Sequence, residues 1–214
     1  MNEEKRNKIV FVCTGNTCRS PMAEVILKQR LKKEKLTGAK VASAGLQPTI
    51  GLPINEKTAQ TLVDKGFKVA SFAKKKAQKL TDKLLKDALA IVCMTDKQRD
   101  ILMDKRWQLL RKAGIENIEN NVYAFSDFTG YEVLDPYGKD LNCYHYVYEL
   151  IDGGMSALIE KLRLRENAAP LRESKKKKTA VTGENSRTVK KEMPKQEGTQ
   201  PPKRKRGRPK KTEE

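Results

Sequence analysis

Continuous apolar runs alternate with helically spaced apolar positions over the first 165 residues. Ile9-Val10-Phe11-Val12 is an apolar run ending in a glycine-containing loop, as a strand buried on both faces should be. Beyond the loop, Met22, Val25, Ile26 and Leu31 recur at helical spacing up to about Lys35, and Pro21 suits a first helical turn. Val41-Ala42-Ser43-Ala44 reads as a second short strand, closed by Gly45. Residues 55–65 read as a helix capped by Asn55 and stopped by Gly66. Ala88–Met94 is a third buried strand, followed by a helix from Asp96 to about Arg106. Val122-Tyr123-Ala124 is a weak fourth strand, and a long final helix spans Leu141–Leu164. Strands joined by helical crossovers of this length predict an α/β fold, a parallel sheet with helices on both faces.

Both patterns stop near residue 166. Residues 166–214 contain no aromatic residue, few apolar ones and five of the nine prolines. They hold 16 Lys/Arg against 7 Asp/Glu, a net of +9 and half of the chain's +18. Such a segment cannot bury enough apolar surface to offset the entropy of ordering its backbone. The expected organisation is therefore one domain, 1–165, and a disordered basic tail, 166–214. The longest apolar stretch, the seven residues Ala88–Met94, is too short to cross a bilayer. The five apolar residues Ile9–Cys13 are too few for a signal-peptide core. A cytoplasmic protein without membrane contact is expected. In a reducing compartment its four cysteines, Cys13, Cys18, Cys93 and Cys143, read as thiols rather than as a disulfide framework.

The most informative segment is Cys13-Thr14-Gly15-Asn16-Thr17-Cys18-Arg19-Ser20-Pro21, a Cys-x5-Arg-Ser pattern between a predicted strand and a predicted helix. Five residues between Cys13 and Arg19 can curl until their backbone N–H groups point at one centre, an anion nest on a helix N-terminus. Gly15 and Asn16 tolerate the left-handed angles that such a curl needs. Arg19 can hold two phosphate oxygens with its planar fork and stabilise them during transfer. The same N–H groups and the helix dipole favour a nucleophilic thiolate at Cys13. Ser20 can donate a hydrogen bond to that sulfur as it leaves. The bland reading is a buried cysteine before an ordinary strand–helix turn, and the spacing alone would not displace it; the strand–loop–helix context, the Gly15-Asn16 pair and Ser20 after Arg19 weigh against it.

A thiolate phosphatase also needs a proton donor for its leaving group. Asp135, in Val133-Leu134-Asp135-Pro136-Tyr137-Gly138, is the candidate, in a loop after the last strand. Pro136 stiffens that loop and Tyr137 can wall the mouth of the pocket. Alone, Asp-Pro-Tyr-Gly is an ordinary turn sequence. Paired with the cysteine loop, it reads as catalytic.

These segments resemble the low-molecular-weight protein tyrosine phosphatases over about residues 8–163: the Cys13–Arg19 loop, Ser43-Ala44-Gly45 after the second strand, and Asp135-Pro136 near the end. The order is telling, because other Cys-x5-Arg phosphatases place the acid before the nucleophile. The resemblance implies a flavodoxin-like three-layer fold with a four-stranded parallel sheet. It also implies a phosphocysteine on Cys13, Asp135 as acid and then base, and hydrogen bonds from Asn16, Ser20 and Ser43 that brace the phosphate-binding residues 14–19. Some members add a histidine to that bracing in the region of Ser71-Phe72-Ala73; this chain has Phe72 there and no histidine.

Thr17 narrows the substrate. Tyrosine-directed members resemble Cys-x-Gly-Asn-Ile-Cys-Arg-Ser, whereas Cys-Thr-Gly-Asn-Thr-Cys-Arg-Ser-Pro-Met-Ala-Glu resembles the bacterial protein-arginine phosphatases. A threonine hydroxyl suits a polar guanidinium better than an aromatic ring, and Asp135 can pair with that guanidinium before protonating its nitrogen. The absence of a second tyrosine after Asp135-Pro136-Tyr137 leans the same way. Phosphotyrosine remains the alternative substrate, with Thr17 a neutral isostere. Arsenate reduction would need two closely spaced downstream cysteines, and Cys93 and Cys143 are 50 residues apart. No cofactor and no metal are called for: Cys13 and Cys18 have loop spacing already explained by phosphate binding, and His145, the single histidine, reads as ordinary. The expected partners are phosphorylated proteins, met by a monomer.

Two further readings concern Cys18 and the tail. Cys18 lies five positions from Cys13, so an oxidant could join the two as a reversible disulfide that protects the nucleophile. Lys203-Arg204-Lys205-Arg206-Gly207-Arg208-Pro209-Lys210-Lys211 resembles an AT-hook, with Lys205 where such hooks usually have proline. Arg206, Gly207, Arg208 and Pro209 would follow the floor of a narrow A·T minor groove, which could hold the protein at the nucleoid. The bland alternative is a cationic tail that meets any polyanion through counterion release. A DNA-tethered protein in which the tail dominates function is the competing reading for the whole chain.

Overall fold

The computed structural model describes residues 6–115 and 120–164. Contacts divide the chain into units Met1–Arg172 and Glu173–Glu214. The readings for residues 166–214, disorder and AT-hook alike, lie outside the described residues. The sheet and all the described helices belong to the first unit.

Four strands form one parallel sheet in the order β2-β1-β3-β4: β1 Lys8–Cys13, β2 Lys40–Gly45, β3 Ala90–Cys93 and β4 Val122–Ala124. Among the described residues six α-helices accompany it: α1 Arg19–Lys33, α2 Glu56–Asp64, α3 Asp82–Asp87, α4 Asp96–Lys112, α5 Ser126–Thr129 and α6 Leu141–Lys161. The pleat of β1 sorts its side chains between two cores. Ile9, Phe11 and Cys13 pack with Met22 and Ile26 of α1, Leu62 of α2 and Ile151 and Met155 of α6. Val10 and Val12 pack on the opposite face with Leu85 of α3 and Leu102 of α4. The result is the expected three-layer α/β fold.

Local chemistry sets most boundaries. Asn55 caps α2 by accepting from the Lys57 N–H at 2.9 Å, and Gly66 ends it at φ +81°. Pro21 falls within the first turn of α1, which starts two residues earlier and ends at Lys33 rather than near Lys35. The third strand is shorter than the apolar run predicts, because Ala88 caps α3 and only residues 90–93 enter the ladder. The fourth helix runs past Arg106 to Lys112, and the last ends at Lys161, with Leu164 in a following turn. Helices α3 and α5 have no counterpart in the apolar pattern; six and four residues are too few to show a period. A Cβ on Gly154 of α6 would stand 2.5 Å from the Phe125 ring, so a glycine lets α6 approach the loop after β4.

This order places the site. The chain leaves β1 toward β2 on one side and later reaches β3 on the other, so a crevice opens between the carboxyl ends of β1 and β3.

Candidate active site

Cys13 is the last residue of β1, only 3% exposed, and the backbone after it curls before α1 begins at Arg19. The turn is made by Asn16, at φ +55°; Gly15 does not adopt the left-handed angles expected of it. The Asn16 N–H points inward and donates to Cys13 Sγ at 3.3 Å. Its buried carboxamide is satisfied on both sides. Nδ2 donates to Ser20 Oγ at 2.9 Å and to Ser43 Oγ at 2.8 Å, while Oδ1 accepts from the Gln78 N–H at 3.0 Å. Gln78 Nε2 donates in turn to the Ser43 carbonyl at 2.7 Å. Gly45 ends β2 against this loop, where a Cβ would lie 2.8 Å from the Thr14 carbonyl oxygen. No side chain fits there.

Ser20 Oγ lies 3.0 Å from Cys13 Sγ. Its oxygen accepts from Asn16, and its single proton can go to the Ala44 carbonyl at 3.4 Å or to the sulfur, where it stabilises negative charge. On the other flank Gln98 accepts from the Met94 N–H at 3.1 Å and donates to Thr14 Oγ1 at 3.2 Å. That ties the loop to the end of β3. Helix α1 has no acidic residue in its first turn and no side-chain cap, which leaves its N-terminal N–H groups for an anion.

Arg19 is buried and makes two contacts to the acid loop. One guanidinium nitrogen donates to the Val133 carbonyl at 3.3 Å, the other to Asp135 Oδ2 at 2.5 Å. Val133 is fixed by its own N–H on the Met94 carbonyl, so the acid loop hangs from the end of β3. The Asp135 side chain is 53% exposed, and its Oδ1 accepts from the Tyr137 N–H at 3.2 Å. Cys13, Arg19 and Asp135 border one pocket of about 280 Å³, with Thr17, Cys18 and Tyr137 on its walls.

The family model described as low molecular weight phosphotyrosine protein phosphatase matches residues 8–168. The chain belongs to that family. It is a cysteine-based protein phosphatase, a hydrolase. It is 28% identical over 155 residues to the probable low molecular weight protein-tyrosine-phosphatase EpsP of Ralstonia nicotianae, covering 72% of this chain and 95% of that one. It is also 28% identical over 158 residues to the protein-arginine-phosphatase of Bacillus subtilis, covering 72% and 96%. A solved YwlE arginine phosphatase, a cysteine-to-serine mutant with a phosphorylated active-site serine, superposes with a TM-score of 0.64. It is 25% identical, with 76% of this chain and 99% of that one covered.

In this phosphatase the fold brings Thr14, Gly15, Asn16, Thr17, Cys18, Arg19, Ser20, Ser43, Asp135 and Tyr137 to one edge of the sheet. Residues Arg206, Gly207, Arg208 and Pro209 lie outside the described residues. Phe72 belongs to the main core, and Gln78 joins the bracing of Asn16 and the Ser43 carbonyl. Cys18 has a partner that sequence reasoning misses, since its sulfur lies 3.6 Å from the Tyr144 hydroxyl. Burial pushes the Tyr144 phenol well above its ordinary range, and the Cys18 hydrogen bond adds to that shift. Burial likewise pushes the Cys93 thiol far up, which makes it an inert strand residue. His145 pairs with Asp64 at 2.9 Å on the surface. Gln78, Gln98 and Val133 are not legible in the sequence, because a glutamine in a polar stretch or a carbonyl in a loop carries no chemical mark.

Proposed function

We propose that this phosphatase hydrolyses phosphoarginine in proteins through a phosphocysteine on Cys13. The observation that carries the reading is the convergence of Cys13, Arg19 and Asp135 on one pocket. An entering phosphoryl group takes over the guanidinium donors that the Asp135 carboxylate and the Val133 carbonyl occupy in the free protein. The Cys13 thiolate attacks phosphorus, the P–N bond breaks, and the departing guanidine nitrogen takes the carboxyl proton of Asp135. Water then attacks the phosphorus and gives a proton to the Asp135 carboxylate. The P–S bond breaks, and the sulfur returns as a thiolate stabilised by Ser20 and by the Asn16 N–H. The phosphorylated active-site serine of the YwlE mutant supports a covalent phosphoryl intermediate at the corresponding position.

Support for arginine over tyrosine comes from the half-buried Thr17 on the pocket wall and from a carboxylate at its mouth. Phosphotyrosine is the second reading, favoured by the exposed Tyr137 and Leu52 against which an aromatic ring could rest. Turnover of one peptide phosphorylated on arginine or on tyrosine tests the assignment. The arginine reading expects the phosphoarginine peptide to be preferred and Thr17→Ile to erode that preference. Preference for phosphotyrosine, unchanged by Thr17→Ile, overturns it.

Cys13 and Cys18 border the same pocket, which supports a protective disulfide in which peroxide accepts the two electrons and both thiol protons leave as water. Activity lost to peroxide and regained with a thiol reductant in wild type, but not in Cys18→Ser, is the expected result; equal recovery contradicts it. The Arg206-Gly207-Arg208-Pro209 sequence supports A·T-rich DNA as the tail's partner. Gly207→Leu should abolish a preference for A·T over G·C duplexes, and an unaltered preference would leave only a generic cationic tail.

A further inference from the structure

A second concavity, of about 570 Å³, opens beside the catalytic pocket and shares Thr14 and Gln47 with it. Its floor is apolar: Leu80 and Leu102 are buried, whereas Ile101 is half exposed. Three lysines, Lys79, Lys97 and Lys105, stand around it. Lys105 is already engaged by Asp82, 2.7 Å away. Lys79 and Lys97 form no ion pair among the described residues.

The position of these two cations relative to the phosphate loop is fixed by backbone. Lys79 follows Gln78, whose N–H holds Asn16, and it bridges Gly45 at the end of β2. Lys97 precedes Gln98, whose side chain holds Thr14. It also sits in the first turn of α4, where the helix dipole disfavours a cation, so local helix chemistry gives no reason for it. Lys79, which also feels the Asp82 carboxylate that Lys105 engages, and Lys97 therefore flank an apolar floor, and the groove borders the catalytic pocket at Thr14 and Gln47.

We infer that this groove binds an acidic, partly apolar segment flanking the phosphorylated residue in the protein substrate. The inference rests on the phosphatase reading of the catalytic pocket. The border shared with that pocket at Thr14 and Gln47 favours, as occupant, a part of the chain being dephosphorylated. Its charge must complement Lys79 and Lys97, and one apolar side chain would cover Ile101. Exposed charge pairs are individually weak, so the groove selects among substrates without holding them tightly.

The test uses the full-length protein, its Lys79→Glu/Lys97→Glu variant and three substrates. These are a small aryl phosphate, a phosphopeptide with glutamates flanking the phosphorylated residue, and the same phosphopeptide with glutamines. Wild type should prefer the glutamate peptide. The charge reversal should lower kcat/KM for it roughly 10-fold at low salt, mainly through KM, and the effect should shrink as salt is raised. The aryl phosphate and the glutamine peptide should be turned over as before. Equal losses on both peptides, or no preference in wild type, overturn the groove. Inhibition of aryl phosphate hydrolysis by duplex DNA, without any peptide preference, would give the groove to nucleic acid instead and also overturn it. Anisotropy titration of the two labelled peptides reads the groove independently of turnover. A wild type that hydrolyses none of the three refutes the phosphatase reading, while equal peptide affinities refute the groove.

Discussion

Two loops meet over the phosphate pocket, and they are held in opposite ways. The loop after Cys13 is braced from within. Asn16 alone makes four hydrogen bonds, Gln98 ties Thr14 to β3, and Gly45 leaves room for the backbone. The loop carrying Asp135 is anchored at Val133 and then projects outward, so its carboxylate is half in solvent and its main tether is Arg19. Under the proposed mechanism the difference matches two tasks. Stabilising charge on phosphorus needs donors already in place, with no reorganisation during reaction. Delivering a proton to a leaving group, and later taking one from water, needs a carboxyl that can release its partner when phosphate arrives.

Of the changes that separate the two loops, removing the exposed acid should have the largest effect on rate and a small one on folding. Asp135→Ala is expected to lower kcat by roughly 10²–10⁴-fold while thermal unfolding stays within a few degrees of wild type. A large drop in melting temperature would mean that the acid loop carries structure after all. Arg19→Lys keeps the charge and loses the fork, so steady-state kinetics should show about a 10²–10³-fold loss in kcat/KM. A lysine variant with wild-type kinetics would break the case for two-point phosphate binding.

The braced loop should respond differently. Asn16→Ala removes a left-handed residue of suitable type and several buried hydrogen bonds, which should cost about 2–3 kcal/mol in denaturant unfolding and lower activity as well. Activity lost without stability would show that the bracing is catalytic only. Gln78→Ala is the mildest change, because its backbone N–H still reaches Asn16 and only the bond to the Ser43 carbonyl is lost. About 1 kcal/mol of stability should go, with catalysis little changed.

The same contrast explains what is readable in the sequence. Ile9–Val12, Asn55 with Gly66, and the long final helix announce themselves because period, caps and stops are local. Cys13 and Arg19 stand out because their spacing falls between a strand and a helix and encloses Gly15-Asn16, and Asp135 stands out only once paired with that loop. The brace is only half visible. Asn16 and Ser43 come from resemblance, but Gln78 and Gln98 act through long-range pairs with loop atoms, and sequence spacing does not encode such pairs. The choice between Gly15 and Asn16 for the left-handed turn is likewise undecidable from sequence, since both residue types accept that conformation. Spacing presents Cys18 as a neighbour of Cys13, yet its hydrogen-bond partner, Tyr144, comes from a helix 126 residues away in the chain.

In the proposed reaction the phosphoryl group passes through the Cys13 sulfur. This transfer is tested by quenching the enzyme in alkaline denaturant during turnover of a radiolabelled phosphopeptide and mapping the label by proteolysis and mass spectrometry. An alkali-stable phosphoryl group is expected on the peptide that contains Cys13. The Cys13→Ser protein should release no phosphate at a measurable rate. Label on any other peptide during turnover, or phosphate release by Cys13→Ser at the wild-type rate, would contradict it.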